Sequence, residues 1–195
     1  RYNPDYYLGE PIWVTAEKAG VKTASIYWVA SDVAIQNVFP TYLYAWNDEP
    51  RLTFEERANE AVRLLSLPEA ERPELVMVYF DEPDMTSHHK GPLSSEVGVV
   101  AAHLDSLVAD MYYKFQELPY ADKINLIVVS DHGMTEISND RFIDWNDYIK
   151  PSWDDHIAGT TPTNIYAKED CVDSIMTALA GVEHIQTWKH GEVPE

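Results

Sequence analysis

Apolar and polar positions along the chain form two kinds of pattern, one typical of helices and one typical of strands. Helical segments are indicated by apolar residues spaced three and four apart or by residues that favour helix ends, such as the Thr53–Glu56 pair in capping-box spacing. Strand-like segments are short and rich in β-branched and aromatic residues. The predicted helices are 11–20, 53–67, 94–118 and 171–179, and the predicted strands are 23–28, 75–80, 124–130, 163–167 and 184–188.

Two of the strand-like segments are apolar without alternation, namely "LVMVYF" (75–80) and "INLIVVS" (124–130). Such runs are typical of strands covered on both faces. Strands that alternate with helices predict an α/β fold, a largely parallel sheet with helices on both faces. We expect residues 1–195 to form a single domain. In such sheets ligands bind beyond the carboxyl ends of the strands.

Composition narrows the function classes. Hydrophobic residues make up 45% of the 195 positions, which excludes disorder as the main state. Thirty-three acidic residues against fourteen basic ones give a net charge of −19, which repels nucleic-acid duplexes and anionic membranes. An acidic protein can act on phosphates if bound cations invert the local field. The single Cys171 excludes an internal disulfide, and no apolar run reaches the roughly 20 residues of a membrane helix.

The ends of the chain indicate a piece of a longer protein. The sequence starts at Arg1 without a methionine and stops at "KHGEVPE", and no signal peptide is visible. We therefore expect the central part of a longer catalytic domain that lacks its N-terminal and C-terminal portions.

Candidate chemistry follows the two apolar strands. Asp84 and His88 come shortly after 75–80, while Asp131 and His132 end 124–130. A spacing of four places Asp84 and His88 on one face if that segment is helical. Carboxylate oxygens and imidazole nitrogens are the ligands that Zn²⁺ and similar ions take in hydrolytic sites. Parallel strands would deliver both pairs to the same sheet edge.

The alternative is that these residues are the polar part of ordinary loops. Either pair alone is more often a solvated turn than a ligand pair, but two pairs after two buried strands favour a dinuclear metal site. His89 could replace His88 by proximity. The other histidines lack a partner at ligand spacing or lie within a predicted helix: His103, His156, His184 and His190.

Several stretches of the sequence resemble those of a known family. "EPDMTSHHKGP" is similar to the signature E-P-D-x-x-x-H-x-x-G-P of the nucleotide pyrophosphatase/phosphodiesterases, within the alkaline phosphatase superfamily, and "VSDHGM" (129–134) to their second metal motif. "GEPIWVTAEKAGVKTASIYW" and "SDVAIQNVFPTY" also resemble family segments. The order and spacing of these stretches agree over residues 9–134. The low cysteine count resembles bacterial members.

The resemblance implies an alkaline phosphatase-like core and two divalent metal ions, usually Zn²⁺. It assigns Asp84 and His88 to one ion and Asp131 and His132 to the other. The family's nucleophile, a Thr or Ser, and a further Asp ligand would precede Arg1, and another His ligand would follow the chain. Because no residue here stands in for that nucleophile, we expect this piece alone to be inactive.

The resemblance also implies a nucleotide pocket. Trp28 and Asp32 of "WVASD" match relatives that use W-P-G-S-D to line it, and Trp46 aligns with an aromatic that stacks on the base. The alternative for each tryptophan is packing in the core. Val29 and Ala30 replace the usual Pro-Gly and add a Cβ, which bears on base specificity.

The activity implied for the whole protein is hydrolysis of nucleotide-type phosphodiester or pyrophosphate bonds with release of a nucleoside monophosphate. Alternatives are a phosphomonoesterase, sulfatase or phosphonate hydrolase of the same superfamily, for which Lys90 is a candidate clamp, or a non-catalytic binding module. The expected ligand is a nucleotide or another small phosphodiester. Family members imply an extracellular or periplasmic location.

Overall fold

The computed structural model describes residues 2–159 and 163–194. They form two compact units, the first running up to Glu136 and the second starting at Ile137. That 1–195 is a single domain stays a prediction. In the described ranges no helix is both long enough and apolar enough to cross a membrane.

A parallel three-stranded sheet forms the centre of the first unit. Its strands are β1 (Thr23–Ile26), β2 (Tyr42–Tyr44) and β3 (Leu75–Val78), in the order β2-β1-β3. Ala24 lies opposite Tyr42 on one side and opposite Val76 on the other. All four residues of β1 are buried, as expected for the middle strand.

Four helices belong to this unit: α1 (Ile12–Lys18), α2 (Phe54–Leu65), α3 (Asp84–Lys90) and α4 (Ser95–Gln116). Thr53 and Glu56 form the predicted capping box at the start of α2. Short 3-10 turns occur in both units at Pro4–Tyr6, Ala121–Lys123, Asn139–Arg141, Trp145–Asp147 and Glu169–Cys171.

Helices pack on both faces of the sheet, as the pattern predicted. On one face Ile26 of β1 packs with Leu64 of α2 and Phe115 of α4. On the other face Met77 of β3 packs with Trp13 of α1. The predicted α/β fold is therefore confirmed.

Two predicted strands are wrong. Residues 124–130 pair with no strand among the described residues. Ile124 is half-buried against the core of the first unit, but the side chains from Leu126 to Val129 are exposed, from 38% at Leu126 to 79% at Ile127. Residues 184–188 are not a strand either. An apolar run becomes a buried strand only when a neighbouring strand and a covering layer are available. The described residues supply no neighbouring strand to 124–130 and pack only against Ile124.

The second unit is small. The strands β4 (Asp154–Ala158) and β5 (Asn164–Ala167) pair antiparallel, and α5 (Val172–Leu179) follows them. Ile149, Ile175 and Leu179 form its core. The predicted strand at 163–167 and the helix at 171–179 are confirmed, but β4 was missed, as was β2 in the first unit.

Candidate functional site

Five candidate residues of the first unit follow the carboxyl ends of its parallel strands, whereas Asp131 and His132 follow residues 124–130, which pair with no strand among the described residues. β1 ends two residues before Trp28, β2 ends two residues before Trp46, and β3 ends shortly before Asp84. Because parallel strands end at the same edge of a sheet, all three segments start from one edge.

The turn after β3 begins α3 at Asp84. The Glu82 carboxylate accepts hydrogen bonds from the Thr86 backbone N–H at 2.9 Å and from Thr86 Oγ1 at 3.0 Å, which caps the first turn of this helix. The spacing of four then places His88 beside Asp84, with Nε2 3.5 Å from Asp84 Oδ1.

His132 approaches the same carboxylate from another part of the chain. Its Nε2 lies 4.0 Å from Asp84 Oδ1 and 3.6 Å from Asp131 Oδ2. Its Nδ1–H donates to the Gly133 carbonyl oxygen at 2.9 Å, so the neutral tautomer carries its lone pair on Nε2. The structure thus brings the two candidate pairs together.

The local field is negative. The hydrogen bond to the Gly133 carbonyl raises the pKa of the His132 imidazole, and the carboxylates of Asp131 and Asp84 raise it further. Partial burial raises the pKa of the Tyr79 phenol, as do Asp131, Asp81 and Asp84, while Arg57 lowers it. Tyr79 is therefore a neutral hydroxyl at pH 7, and two of the candidate ligands, Asp131 and Asp84, contribute to its raised pKa.

The donor chemistry fits a divalent metal. Oxygen and nitrogen ligands about 2.0–2.2 Å from a tetrahedral ion lie about 3.3–3.6 Å apart, close to the 3.5 Å between Asp84 Oδ1 and His88 Nε2. Asp84 Oδ1 is buried and accepts no hydrogen bond from the described residues. The set is incomplete, because no group of three or more His, Cys, Asp or Glu in those residues is arranged to hold a metal.

Trp46 contacts several aromatic and basic side chains. Its ring meets Tyr27 and Tyr79 edge to face, with centroids 6.1 and 5.9 Å apart. The guanidinium carbon of Arg51 lies 4.3 Å from the ring centroid, over one face. Tyr79, whose pKa the acids around Asp84 raise, thus also packs against the candidate base platform.

Trp28 and Asp32 are both half-buried in the loop after β1. Trp28 packs against a core cluster that includes Trp13 and Met77. Its carbonyl oxygen accepts a hydrogen bond from Ser31 Oγ at 2.7 Å. Part of the Trp28 ring is thus buried by core packing, and the contact of Trp28 with a nucleotide stays a prediction.

His89 and Lys90 lie elsewhere on α3. His89 Nδ1 donates to the Met85 carbonyl oxygen at 2.7 Å. Both residues line a groove of about 680 Å³ between α3 and α4, together with Val99. His88, and not His89, is the histidine that faces Asp84.

Two residues of this region were missed from the sequence, Arg57 and Tyr79. Arg57 is 4% exposed and forms an ion pair with Asp81 at 2.7 Å. The sequence did contain a signal for Arg57, because this residue shares the buried face of α2 with Ala61 and Leu64. A charge on the apolar face of a helix indicates a buried partner. Tyr79 had no comparable signal within an apolar run.

Comparison with known proteins identifies the family of this chain. A family model described as type I phosphodiesterase / nucleotide pyrophosphatase matches residues 1–190. Human ectonucleotide pyrophosphatase/phosphodiesterase family member 1 is 39% identical over 149 residues, which is 76% of this chain and 16% of the relative. A venom phosphodiesterase of Macrovipera lebetinus is 36% identical over 147 residues, 75% of this chain and 17% of the relative.

Solved structures are similar over nearly the whole chain. Human ectonucleotide pyrophosphatase/phosphodiesterase 5 superposes with a TM-score of 0.78 at 29% identity, covering 99% of this chain and 51% of the other. An inactive murine form of that protein, solved in complex with AMP, gives 0.77 at 31% identity, with the same 99% and 51% coverage. The chain thus spans about one sixth of these curated relatives and about half of the solved chains. It belongs to the type I phosphodiesterase/nucleotide pyrophosphatase family.

Proposed function

We propose that the whole protein hydrolyses nucleotide-type phosphodiester or pyrophosphate bonds, releases a nucleoside monophosphate, and uses two divalent metal ions, by preference Zn²⁺. The main support is the approach of His88 Nε2 and His132 Nε2 to one carboxylate oxygen of Asp84, at 3.5 and 4.0 Å. This occurs in a family whose members are named phosphodiesterases and pyrophosphatases.

Each of the four candidate ligands has a role in the proposal. Asp84 and His88 hold one metal ion, and Asp131 and His132 hold the other. Gly133 orients the His132 ring through its carbonyl oxygen, so that Nε2 faces the site. When bound, the ions supply positive charge for the phosphoryl oxygens and the leaving oxygen, which a chain of net charge −19 otherwise lacks.

The nucleotide part of the proposal depends on Trp46, with Trp28 and Asp32 lining the same side. The murine relative was solved with AMP, which supports a nucleotide ligand here. Arg51 covers one face of Trp46, so a base would compete with the guanidinium for that face. Base–aromatic stacking contributes about 1–3 kcal/mol.

We further propose that this chain alone does not catalyse the hydrolysis. Thr15 Oγ1 donates to Glu10 at 2.8 Å, and Thr23 Oγ1 donates to Glu17 at 2.7 Å, which argues against either hydroxyl as the nucleophile. A Thr or Ser outside residues 1–195 would supply it. A location outside the cytoplasm belongs to the same proposal, supported by the ecto-enzyme names of the relatives.

Calorimetric titration of AMP into the chain with saturating ZnCl₂ tests this function. We expect zinc-dependent AMP binding that weakens about tenfold or more in Trp46→Ala and persists in Trp188→Ala, which removes an exposed tryptophan of the second unit. Zinc-independent binding, no binding, or equal affinity in Trp46→Ala would contradict the proposal. A nitrophenyl ester of a nucleotide should remain intact with this chain, and its hydrolysis would overturn the proposed inactivity.

A further inference from the structure

Arg57 is a buried cation whose hydrogen-bonding groups meet the turn after β3. It lies in the first turn of α2, and its side chain is 5% exposed. Taking a guanidinium out of water is unfavourable unless its donors are paired. A cation at this depth therefore fixes the position of the groups that pair with it.

Arg57 donates hydrogen bonds to two segments, the one before α2 and the one after β3. Nη1 donates to the Tyr79 carbonyl oxygen at 3.0 Å and to Asp81 Oδ1 at 2.7 Å. Nε donates to the Leu52 carbonyl oxygen at 3.1 Å. The planar fork thus joins the segment before α2 to the segment after β3, which a flexible ammonium could not do in the same geometry.

Aromatic rings hold the guanidinium in place. Its carbon lies 4.7 Å from the centroid of Tyr27 and 4.8 Å from that of Phe54. The Tyr27 hydroxyl accepts a hydrogen bond from the Leu52 N–H at 2.9 Å, so the ring is itself anchored. These contacts leave the guanidinium little freedom to follow a moving loop.

Fixing Asp81 also fixes Asp84, because only two residues separate them. Asp81 is followed by Glu82 and Pro83, and α3 starts at Asp84. Glu82 is fixed by its two bonds from Thr86, and the Pro83 carbonyl oxygen accepts from Ser87 Oγ at 2.7 Å. A displacement at Asp81 would therefore shift the start of α3 and the carboxylate that faces His88 and His132.

We propose that Arg57, through its ion pair with Asp81, is the positioning residue that fixes the turn after β3 and so places Asp84 for metal binding. The inference rests on the proposed function in one respect, that Asp84 is a metal ligand. Arg57 touches neither metal nor substrate in this proposal.

Two measurements on the 195-residue chain test it. Hydrogen–deuterium exchange over residues 83–91, without metal, reports whether the turn and α3 are held. Zinc affinity, measured by competition with a chromophoric chelator, reports whether Asp84 is placed for binding. The variants are Asp81→Asn, which keeps the shape of the residue, and Arg57→Lys, which keeps the charge. The matched control is Arg63→Lys, on the same helix but paired with Glu60.

We expect Asp81→Asn and Arg57→Lys to accelerate exchange in 83–91 and to weaken zinc binding about 10- to 100-fold, while Arg63→Lys changes neither. Far-UV circular dichroism verifies that each variant is folded. If Arg57→Lys does not fold, Asp81→Asn decides, because Asp81 is one-third exposed and its change leaves the core intact. Unchanged exchange, or unchanged zinc affinity in a folded variant, overturns the inference.

Failure of the proposed function would look different. If the unaltered chain binds no zinc, the metal assignment fails for this chain, and the exchange comparison alone decides whether Arg57 fixes the turn. If zinc binds but the Arg57 and Asp81 variants bind it equally well, the metal assignment stands and the positioning role is overturned.

Discussion

His132 Nε2 and Asp84 Oδ1 lie 4.0 Å apart, although one residue follows β3 and the other comes after the whole of α4. Asp131 Oδ2 lies 3.6 Å from the same imidazole nitrogen. This convergence explains why the field at the sheet edge is negative without a cation, and why a bound divalent ion would be favoured there.

The proximity of these carboxylates predicts the titration of His132 in the metal-free chain. The Gly133 hydrogen bond raises the pKa of His132 most, and Asp131 and Asp84 add to it. Removing a negative charge favours the neutral ring, so Asp131→Asn and Asp84→Asn should each lower this pKa. NMR titration of the imidazole Cε1–H with a chelator present measures it.

The control for that titration is Asp110→Asn, which removes a carboxylate that pairs with Lys114 on α4. It should leave the His132 pKa where it is. An unaltered His132 titration in Asp84→Asn would mean that the two side chains are not neighbours in solution.

Glu17 predicts how stability depends on pH. Partial burial raises the pKa of its carboxyl, but hydrogen bonds from Thr23 and Thr41 outweigh burial and leave the pKa below its usual value of 4.5. A depressed folded-state pKa contributes stability that is complete above the unfolded-state value and is lost as pH falls through the folded-state value. Glu17→Gln should therefore lower the free energy of unfolding by about 1–3 kcal/mol at pH 7.

Urea unfolding of both proteins between pH 3 and pH 7 checks this. The difference in the free energy of unfolding should be largest above about pH 5 and should narrow towards pH 3. Glu69→Gln, at an exposed position, should show little difference throughout. If the difference in the free energy of unfolding between Glu17→Gln and the unaltered chain stayed the same at every pH, the Glu17 charge could not be its cause.

Ala30 occupies a backbone conformation that suits glycine. Its φ is +65°, in the loop that carries Trp28 and Asp32, and it is 7% exposed. An L-residue in this region costs roughly 1 kcal/mol relative to glycine, so Ala30→Gly should stabilise the chain by up to about that amount. Ala58→Gly, in the interior of α2, should instead destabilise it by about 1 kcal/mol. Thermal unfolding compares the two, and destabilisation by Ala30→Gly would contradict the prediction.

The exposed run 124–130 predicts self-association. Ile127, Val128 and Val129 are 67–79% exposed in an uncharged segment that pairs with no strand among the described residues, and such apolar segments can pair with another chain. Val128→Lys should reduce the association measured by analytical ultracentrifugation. Ile137→Lys adds the same charge at a position that is 96% exposed and outside the run, and should have a smaller effect. Equal effects would point to net charge alone.

The parts of the fold that were predictable from the sequence are those set by local interactions. The capping box of Thr53 and Glu56 fixes the start of α2 within a few residues, and Gly20, at φ +80°, follows α1 as predicted. β2 was missed because it has three residues, and its pairing with β1 is non-local. The strand predicted at 124–130 was wrong because burial depends on a partner that local sequence does not specify.

The same division applies to the site. Asp84 and His88 were predictable because both lie in one short motif, and helical spacing brings them together. The approach of His132 to Asp84 was expected from a parallel strand at 124–130; the two side chains do meet, although that segment pairs with no strand among the described residues. Arg57 and Asp81 were not paired from the sequence, because they meet only when α2 packs beside the end of β3.

Calorimetric titration of Zn²⁺ into the chain tests the central claim most directly, that the sheet edge is a metal site. The proteins compared are the unaltered chain, an Asp131→Ala/His132→Ala variant, and a His103→Ala variant. The last removes a surface histidine that is paired with Glu55. We predict binding in the micromolar range or tighter, with the ion assigned to Asp131 and His132 lost in the double variant and both ions retained in His103→Ala. Equal binding by the double variant, or no binding by the unaltered chain, would contradict the claim.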